Sequence, residues 1–182
     1  MEGVELGYRS QITPSFNLDL SAYRSRYTDV VSGKTTSIDP VTLFPLAVIQ
    51  NVSLYNGGSG WISGAEISAD WLVLPAWRLQ LSYTWTRIEM DDSSNRIVQS
   101  AGVVDEQGTP RHYGSLRSQW NVSSTQQFDA WVRGSAGFYS LNAPFPNLVR
   151  VPGYVTLDLR YAHKVNNDLE LAITGRNLVG QK

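Results

Sequence analysis

Cysteine is absent from the 182 residues of this sequence. Its absence excludes disulfides, thiolate metal sites and cysteine nucleophiles together. Basic residues are not in excess, because 15 Lys and Arg stand against 16 Asp and Glu, giving a net charge of −1. The electrostatic footprint of a nucleic-acid-binding protein is therefore missing.

Long hydrophobic runs are also lacking. No stretch approaches the roughly 18 consecutive apolar residues that a membrane-spanning helix needs. The mean hydropathy of −0.22 does not exclude membrane strands, since these alternate polar and apolar residues. What is abundant is 15 Gly, 9 Tyr and 6 Trp, the residues that membrane barrels use for tight turns and aromatic girdles.

Motifs for catalysis or metal binding are not found. The sequence has no Gly-x-Ser-x-Gly elbow, no phosphate-binding loop and no His-Glu-x-x-His helix. The acidic pairs at 91–92 and 105–106 lack the spacing of a calcium loop, so we interpret them as hydrated turns. His112 and His163 are too isolated for zinc. We predict no enzyme activity, no metal and no cofactor.

The beginning of the sequence, MEGVELGYRSQ, has neither the basic nor the apolar region of a signal peptide. An outer-membrane protein requires such a peptide for export. If this is one, we expect either that Met1 is not the native start or that the chain is a piece of a longer protein.

The remaining sequence is typical of an all-β chain of about eight antiparallel strands. Their expected ranges are 3–11, 16–31, 46–72, 77–90, 111–122, 127–139, 151–165 and 169–178. Short turns alternate with longer loops at 32–45, 91–110 and 140–150. Within the third strand, Asn-Gly-Gly-Ser-Gly at 56–60 fits either a bulge or an extra hairpin.

Strict alternation indicates that each strand has one apolar and one polar face. Trp77, Leu79, Leu81, Tyr83 and Trp85 alternate with Arg, Gln, Ser and Thr. A soluble sandwich shows the same period, so the positions of the aromatic residues have to distinguish it from a membrane barrel. Six of them share the apolar parity of their strands and lie near short turns: Phe16, Trp71, Trp77, Trp120, Phe128 and Tyr161. We interpret these as a girdle at a membrane interface.

The strand 16–31 fits this scheme less well. Its apolar parity assigns Arg24 and Arg26 to the lipid-facing side, where a charge at mid-bilayer costs about 2–4 kcal/mol. We expect these two residues to lie above the hydrocarbon, or after a bulge.

Three segments resemble the barrel of TonB-dependent outer-membrane receptors. They are NGGSGWISGAEISADWLVLPAWRLQLSYTW, TPRHYGSLRSQW and the carboxy-terminal VPGYVTLDLRYAHKVNNDLELAITGRNLVGQK. Together they cover most of the sequence from Phe16 onward, and their order and spacing are more specific than any single motif.

The resemblance implies a transmembrane, up-and-down barrel segment, about eight strands of a 22-stranded barrel, in the outer membrane of a Gram-negative bacterium. Residues 1–182 would then be a partial barrel domain without the plug domain and the final strand. The function implied is uptake of a scarce nutrient, such as an iron-siderophore complex. Expected partners are outer-membrane lipid, the receptor's own plug, the TonB complex and a small-molecule or metal-chelate ligand.

The resemblance places ligand contacts on extracellular loops and on lumen-facing strand positions. The loop candidates are Arg96, Arg111, His112, Tyr139 and Arg150, because Arg and aromatic groups suit an anionic chelate. The lumen-facing candidates are Glu66, Arg133, Asp158 and Arg160, which we expect to form ion pairs inside the barrel first and plug or ligand contacts second. Two alternatives stay open: a small closed eight-stranded barrel with a structural or adhesion role, and a soluble lipocalin-like barrel. The sequence does not name the substrate or the oligomeric state.

Overall fold

The computed structural model describes residues 1–43, 46–91, 106–142 and 147–180. Ten strands account for most of this part of the chain. They are β1 (Glu2–Thr13), β2 (Phe16–Leu43), β3 (Leu46–Leu74), β4 (Trp77–Met90), β5 (His112–Asn121), β6 (Gln126–Ser135), β7 (Phe138–Asn142), β8 (Asn147–Val151), β9 (Tyr154–Lys164) and β10 (Glu170–Gly175). Within the same ranges, no helix has both the length and the apolar character needed to span a membrane.

Eight strands form one antiparallel sheet in the order β1-β2-β3-β4-β5-β6-β9-β10. The all-β, up-and-down architecture predicted from the alternation is confirmed. In the described residues β1 and β10 are edges that do not pair with each other. This open sheet does not support the alternatives of a small closed barrel or a lipocalin-like barrel, both of which require closure.

Short turns join the strands at one end of the sheet. Pro14 and Ser15 connect β1 to β2, and Pro75 and Ala76 connect β3 to β4. After β9, the backbone N–H of Val165 donates to the carbonyl of Leu169 at 2.9 Å and closes another tight turn. We call this the turn end. The other end, where β4 connects to β5 and β6 connects to β9 by longer segments, we call the loop end.

Two of the predicted loops are wrong. The segment 32–45 was expected to be a loop, but β2 continues to Leu43 and pairs with β3 along its length. The segment 140–150 was expected to be a loop as well, but β7 and β8 pair as a separate two-stranded hairpin. Neither sequence alternates regularly between apolar and polar residues, so the period that marks membrane strands is not visible in them.

The Asn-Gly-Gly-Ser-Gly segment lies inside a continuous strand. Opposite it, the register of β2 shifts between Tyr27 and Val31, and Asp29 adopts a left-handed conformation with φ 60°. Asp tolerates this conformation better than most residues. The irregularity is therefore a bulge, and the extra hairpin is excluded.

The sheet has almost no core of its own. Among the described residues Ala162 is the only buried hydrophobic side chain, at 3% exposure. The accessible surface is 12821 Å², whereas a compact protein of 20.3 kDa would expose about 8,800 Å². A single layer of this kind requires another medium or another part of a protein against each face.

Candidate functional site

The register separates two faces of the sheet. On the apolar face, one row joins Trp77, Trp120, Phe128 and Tyr161 across β4, β5, β6 and β9. A second pair, Phe16 and Trp71, faces outward on β2 and β3 with ring centroids 6.2 Å apart. Trp71, Trp120, Phe128 and Tyr161 are each at least 36% exposed. All six predicted girdle residues therefore share one face near the turn end, as an interface girdle requires.

The polar face carries a pocket at the loop end, which we call the mouth pocket. Its volume is about 450 Å³. Its walls are mainly apolar side chains of β2, β3 and β4 together with the loop before β5. The residues that line it are Tyr27, Val30, Gly60, Trp61, Ile62, Ile88, Met90, Gly108 and Thr109.

Glycine is required at the floor of the mouth pocket. A Cβ on Gly60 would lie 2.6 Å from the carbonyl oxygen of Glu89, which is backbone and cannot move aside. Next to the pocket, the backbone N–H of Met90 donates to Glu106 Oε1 at 2.8 Å. This hydrogen bond fixes Glu106, at the end of the connection before β5, to the end of β4 beside the pocket.

A second cavity, of about 550 Å³, lies on the polar face toward the turn end. It contains a group of charged residues that we call the ion cluster: Arg117, Asp129, Arg133, Asp158, Arg160 and Arg176. The four cations and two carboxylates carry a net charge of +2, which Glu170, bonded to Arg160, lowers to +1. Trp131 lies among them, with the Arg133 guanidinium 4.4 Å from its ring centroid. Such a wall suits an anionic or acidic partner.

Asp158 joins β9 to two other parts of the chain within the ion cluster. Its Oδ2 accepts from Arg133 Nη2 at 2.6 Å, and its Oδ1 accepts from the backbone N–H of Asn177 at 2.8 Å. Asn177 is left-handed, with φ 53°. The Gly-x-Asn-Leu ending is thereby folded back onto β9.

Three of the four predicted lumen residues form the expected ion pairs. Arg133 pairs with Asp158 at 2.6 Å, and Arg160 pairs with Glu170 at 2.9 Å and lies 3.9 Å from Asp129. Glu66 lies on the polar face between Ser21 and Thr84. It has no ion pair within the part of the chain that the structure describes.

Two of the predicted loop residues come together. Tyr139 and Arg150 are register partners in the β7–β8 hairpin. Arg111 is exposed at the entrance to β5, where its carbonyl accepts from the backbone N–H of Thr86 at 2.9 Å. Arg96 lies outside the described residues.

His112 lies elsewhere, on the apolar face opposite Trp85. Its Nδ1 is 2.7 Å from the Tyr83 hydroxyl, and the two rings are stacked with centroids 6.2 Å apart. His112 therefore lies among the aromatic residues at the loop end of the apolar face, on the opposite side of the sheet from the mouth pocket.

The residues of the mouth pocket were not predicted as functional. Ile62, Ile88 and Met90 have the polar parity of their strands but are apolar. A hydrophobic residue on the polar face is the signal that would have identified them. The same parity places Trp131 next to Arg117 on the polar face.

Comparison with known proteins identifies the family. The sequence matches the family model described as TonB dependent receptor-like, beta-barrel, over residues 2–178. Because the match covers nearly all of the sequence, the chain belongs to this family. Its members are receptors of the Gram-negative outer membrane and not enzymes, as the sequence predicted. The apolar face is accordingly the lipid-facing face, and the polar face lines the lumen.

Solved receptors share the fold. The chain resembles the ferric-catecholate import receptor Fiu of E. coli K12, with a TM-score of 0.74 and 19% identity over 97% of this chain and 23% of that one. It resembles the siderophore receptor PiuA of Acinetobacter baumannii, with a TM-score of 0.72 and 18% identity over 97% and 24%.

The pyoverdine receptor FpvA of Pseudomonas aeruginosa, bound to pyoverdine, gives a TM-score of 0.68 and 15% identity over 97% and 25%. The chain therefore spans about a quarter of the length of these receptors. No curated protein matches the sequence.

Proposed function

We propose that this chain forms part of a receptor barrel that takes up an iron-siderophore complex across the outer membrane. The observation that carries the proposal is the family match over residues 2–178. The mouth pocket on the lumen-lining face adds a place for a ligand at the loop end. In this family architecture, the loop end is the extracellular end.

The sheet itself would be about eight strands of a 22-stranded barrel. In that arrangement a plug domain fills the lumen, and TonB supplies the energy for its rearrangement. The ion cluster, with its net positive charge, faces the space that such a plug would occupy. We assign to it contacts with acidic groups of the plug rather than with the incoming ligand, because it lies toward the turn end.

Ligand contacts would be made at the loop end. Tyr27 supplies an aromatic wall of the mouth pocket, with Ile88 and Met90 beside it. Arg111 and the cross-strand pair of Tyr139 and Arg150 would supply charge and further aromatic surface. Arg and aromatic groups together favour an anionic ferric chelate. Arg96 remains a prediction of the same kind.

Uptake of labelled iron tests this proposal. The full-length protein is expressed in a Gram-negative host without its own siderophore receptors. Cells then receive ⁵⁵Fe as a ferric catecholate, a ferric hydroxamate or ferric citrate. We expect energy-independent binding of one chelate in the cold, and accumulation on warming that disappears in a host lacking TonB. If none of the chelates binds, the siderophore assignment is wrong.

A pair of tyrosine variants locates the ligand. Tyr27→Ala removes the aromatic wall of the mouth pocket, and we expect the affinity for the bound chelate to fall about tenfold. Tyr8→Ala is the matched control, because Tyr8 is a 54% exposed tyrosine on the lipid-facing side of β1. Equal affinities in the two variants would place the ligand outside the mouth pocket.

A further inference from the structure

Three arginines lie at the loop end of the lipid-facing side of the sheet, where Glu2 and Glu89 share their parity. Arg24 and Arg26 share the parity of Leu18, Leu20 and Ala22 on β2. The bulge of β2 begins only after Tyr27, so it does not turn them inward. Arg87 has the same outward parity on β4, since its partner Ser63 is also the partner of Arg24. We call Arg24, Arg26 and Arg87 the outer arginine cluster.

The height of the cluster follows from the strand geometry. Trp61, opposite Arg26, is ten residues from the girdle residue Trp71 on β3. Ten residues of strand measure roughly 33 Å, or about 25 Å along the membrane normal at a tilt of about 40°. An outer-membrane barrel has an apolar band of about this height. Ser63, opposite Arg24 and Arg87, is eight residues from Trp71, or about 20 Å along the same normal. Arg26 therefore lies at the level of the headgroups, and the backbones of Arg24 and Arg87 lie about 5 Å below it, from where their long side chains reach the headgroups.

The outward positions below the cluster carry no charge. On β2 they are Leu18, Leu20 and Ala22, and on β3 they are Ala69, Ile67 and Ala65. On β4 they are Leu79, Leu81, Tyr83 and Trp85. The arginines thus form the first charged level above a continuous apolar band.

Aromatic contacts hold two of the arginines in place. The Arg24 guanidinium lies 4.4 Å from the Trp61 ring centroid, and that of Arg26 lies 5.3 Å from it. Cation–π contacts of this kind strengthen as water is removed, as at a membrane interface. The indole also keeps both guanidinium groups close to the sheet.

The row Arg24-Ser63-Arg87 has the form of an anion site. Two arginines stand on strands that flank β3, about 10 Å apart at the backbone. Between them is the short hydroxyl side chain of Ser63, which leaves space above the sheet. Guanidinium groups bind phosphate oxygens with two parallel hydrogen bonds. A phosphate resting over Ser63 would be reached from both sides.

The nearby acids leave Arg24 available. Arg87 pairs with Glu89 at 2.7 Å and Arg26 lies 3.8 Å from Asp91, but these side chains are all at least 42% exposed and such pairs exchange readily. Glu2 stands opposite Arg26 in the register of β1. Among the described residues Arg24 has no ion pair.

We propose that the outer arginine cluster binds the phosphate of a lipid headgroup in the outer leaflet. Arg24 and Arg87 hold the phosphate over Ser63, while Arg26 and Trp61 border it on the extracellular side. The proposal depends on the membrane orientation of the sheet. It does not depend on which nutrient the receptor takes up, so its failure is separable from that of the uptake function.

Lipid binding to the full-length protein in detergent micelles tests the proposal. Native mass spectrometry compares retention of phosphatidic acid with that of phosphatidylcholine. We expect about a tenfold preference for phosphatidic acid, reduced below about twofold in the R24Q/R87Q double variant. The R24K/R87K variant retains the charge but loses the paired hydrogen bonds of the guanidinium groups, so it should keep only part of the preference.

Controls separate a specific site from general attraction. Arg9→Gln removes one cation from the polar face of β1, where Arg9 pairs with Asp19 at 2.5 Å, and should leave the preference unchanged. A heat-dependent shift in gel mobility checks that each variant is folded. If R24Q/R87Q keeps the preference, or Arg9→Gln lowers it equally, the proposal is wrong. Displacement of the lipid by millimolar inorganic phosphate would indicate a site for soluble anions and would equally overturn it.

Discussion

At the scale of single residues, Asp158 connects β9 to β6 and to the segment that follows β10. One carboxylate oxygen accepts from Arg133 on β6 and the other from the backbone after β10. The side chain is 16% exposed. A carboxylate that is nearly buried and bonded on both oxygens contributes more than a surface ion pair.

Asp158→Asn should therefore destabilise the folded protein by about 1–3 kcal/mol, because Arg133 loses its charged partner. Urea unfolding of the full-length protein in phospholipid vesicles measures the change. Asp168→Asn serves as the matched control, since Asp168 is exposed in the turn after β9 and only its backbone N–H is bonded there. Equal stability of the two variants would show that Asp158 has no special role.

The sequence predicted the face on which a side chain lies wherever parity was the deciding signal. The six aromatic residues share one face, and Arg133 and Asp158 share the other, because alternation determines which way a side chain points. The mouth pocket was missed because its members come from β2, β3 and β4, and their proximity depends on the register. His112 was predicted as a ligand contact at the loop end, but its side chain lies on the apolar face and packs on Tyr83.

At the scale of elements, the strands that cross the membrane were predictable, and those that extend beyond it were not. In the membrane, lipid on one side and lumen on the other impose a period of two. Above it both faces meet water, so β7, β8 and the upper part of β2 have the composition of loops. Their pairing is a contact between segments that the local pattern does not specify.

The β7–β8 hairpin is a separable element. β6 and β9 pair directly, from Ser135 with Tyr154 down to Gln126 with His163, so the hairpin contributes nothing to their register. Replacing residues 138–151 by Asn-Gly, which favours a tight turn, should leave the folded fraction unchanged. The affinity for the bound chelate should fall by about tenfold, because Tyr139 and Arg150 are lost.

Cell-surface binding of ⁵⁵Fe chelate, together with the heat-dependent gel shift, checks both parts of this prediction. An equivalent replacement of residues 166–168 at the turn end is the control and should alter neither quantity. Unchanged binding after removal of the hairpin would exclude it from the ligand site.

At the scale of the whole molecule, both faces of the sheet are exposed, and they are suited to different surroundings. The lipid-facing side is uncharged between the turn-end girdle and the outer arginine cluster. The lumen side carries charge along much of its length. The two faces should therefore respond differently to an added cation.

Leu81→Arg places a charge in the middle of the lipid-facing band, where it should cost about 2–4 kcal/mol. Thr84→Arg places the same side chain on the lumen side next to Glu66, its register neighbour, and should be close to neutral. The fraction of folded protein recovered in the outer membrane reports the difference. Comparable losses in the two variants would contradict the assignment of the faces.

The β2–β3 hairpin extends beyond the membrane surface on the extracellular side. From Arg26, at the interface, β2 runs a further 17 residues to Leu43, or roughly 55 Å of strand. Over that distance its backbone is paired to β3 and is not a free chain. The hairpin therefore extends well above the bilayer as paired strand, where it offers an epitope that an antibody could bind on the intact cell.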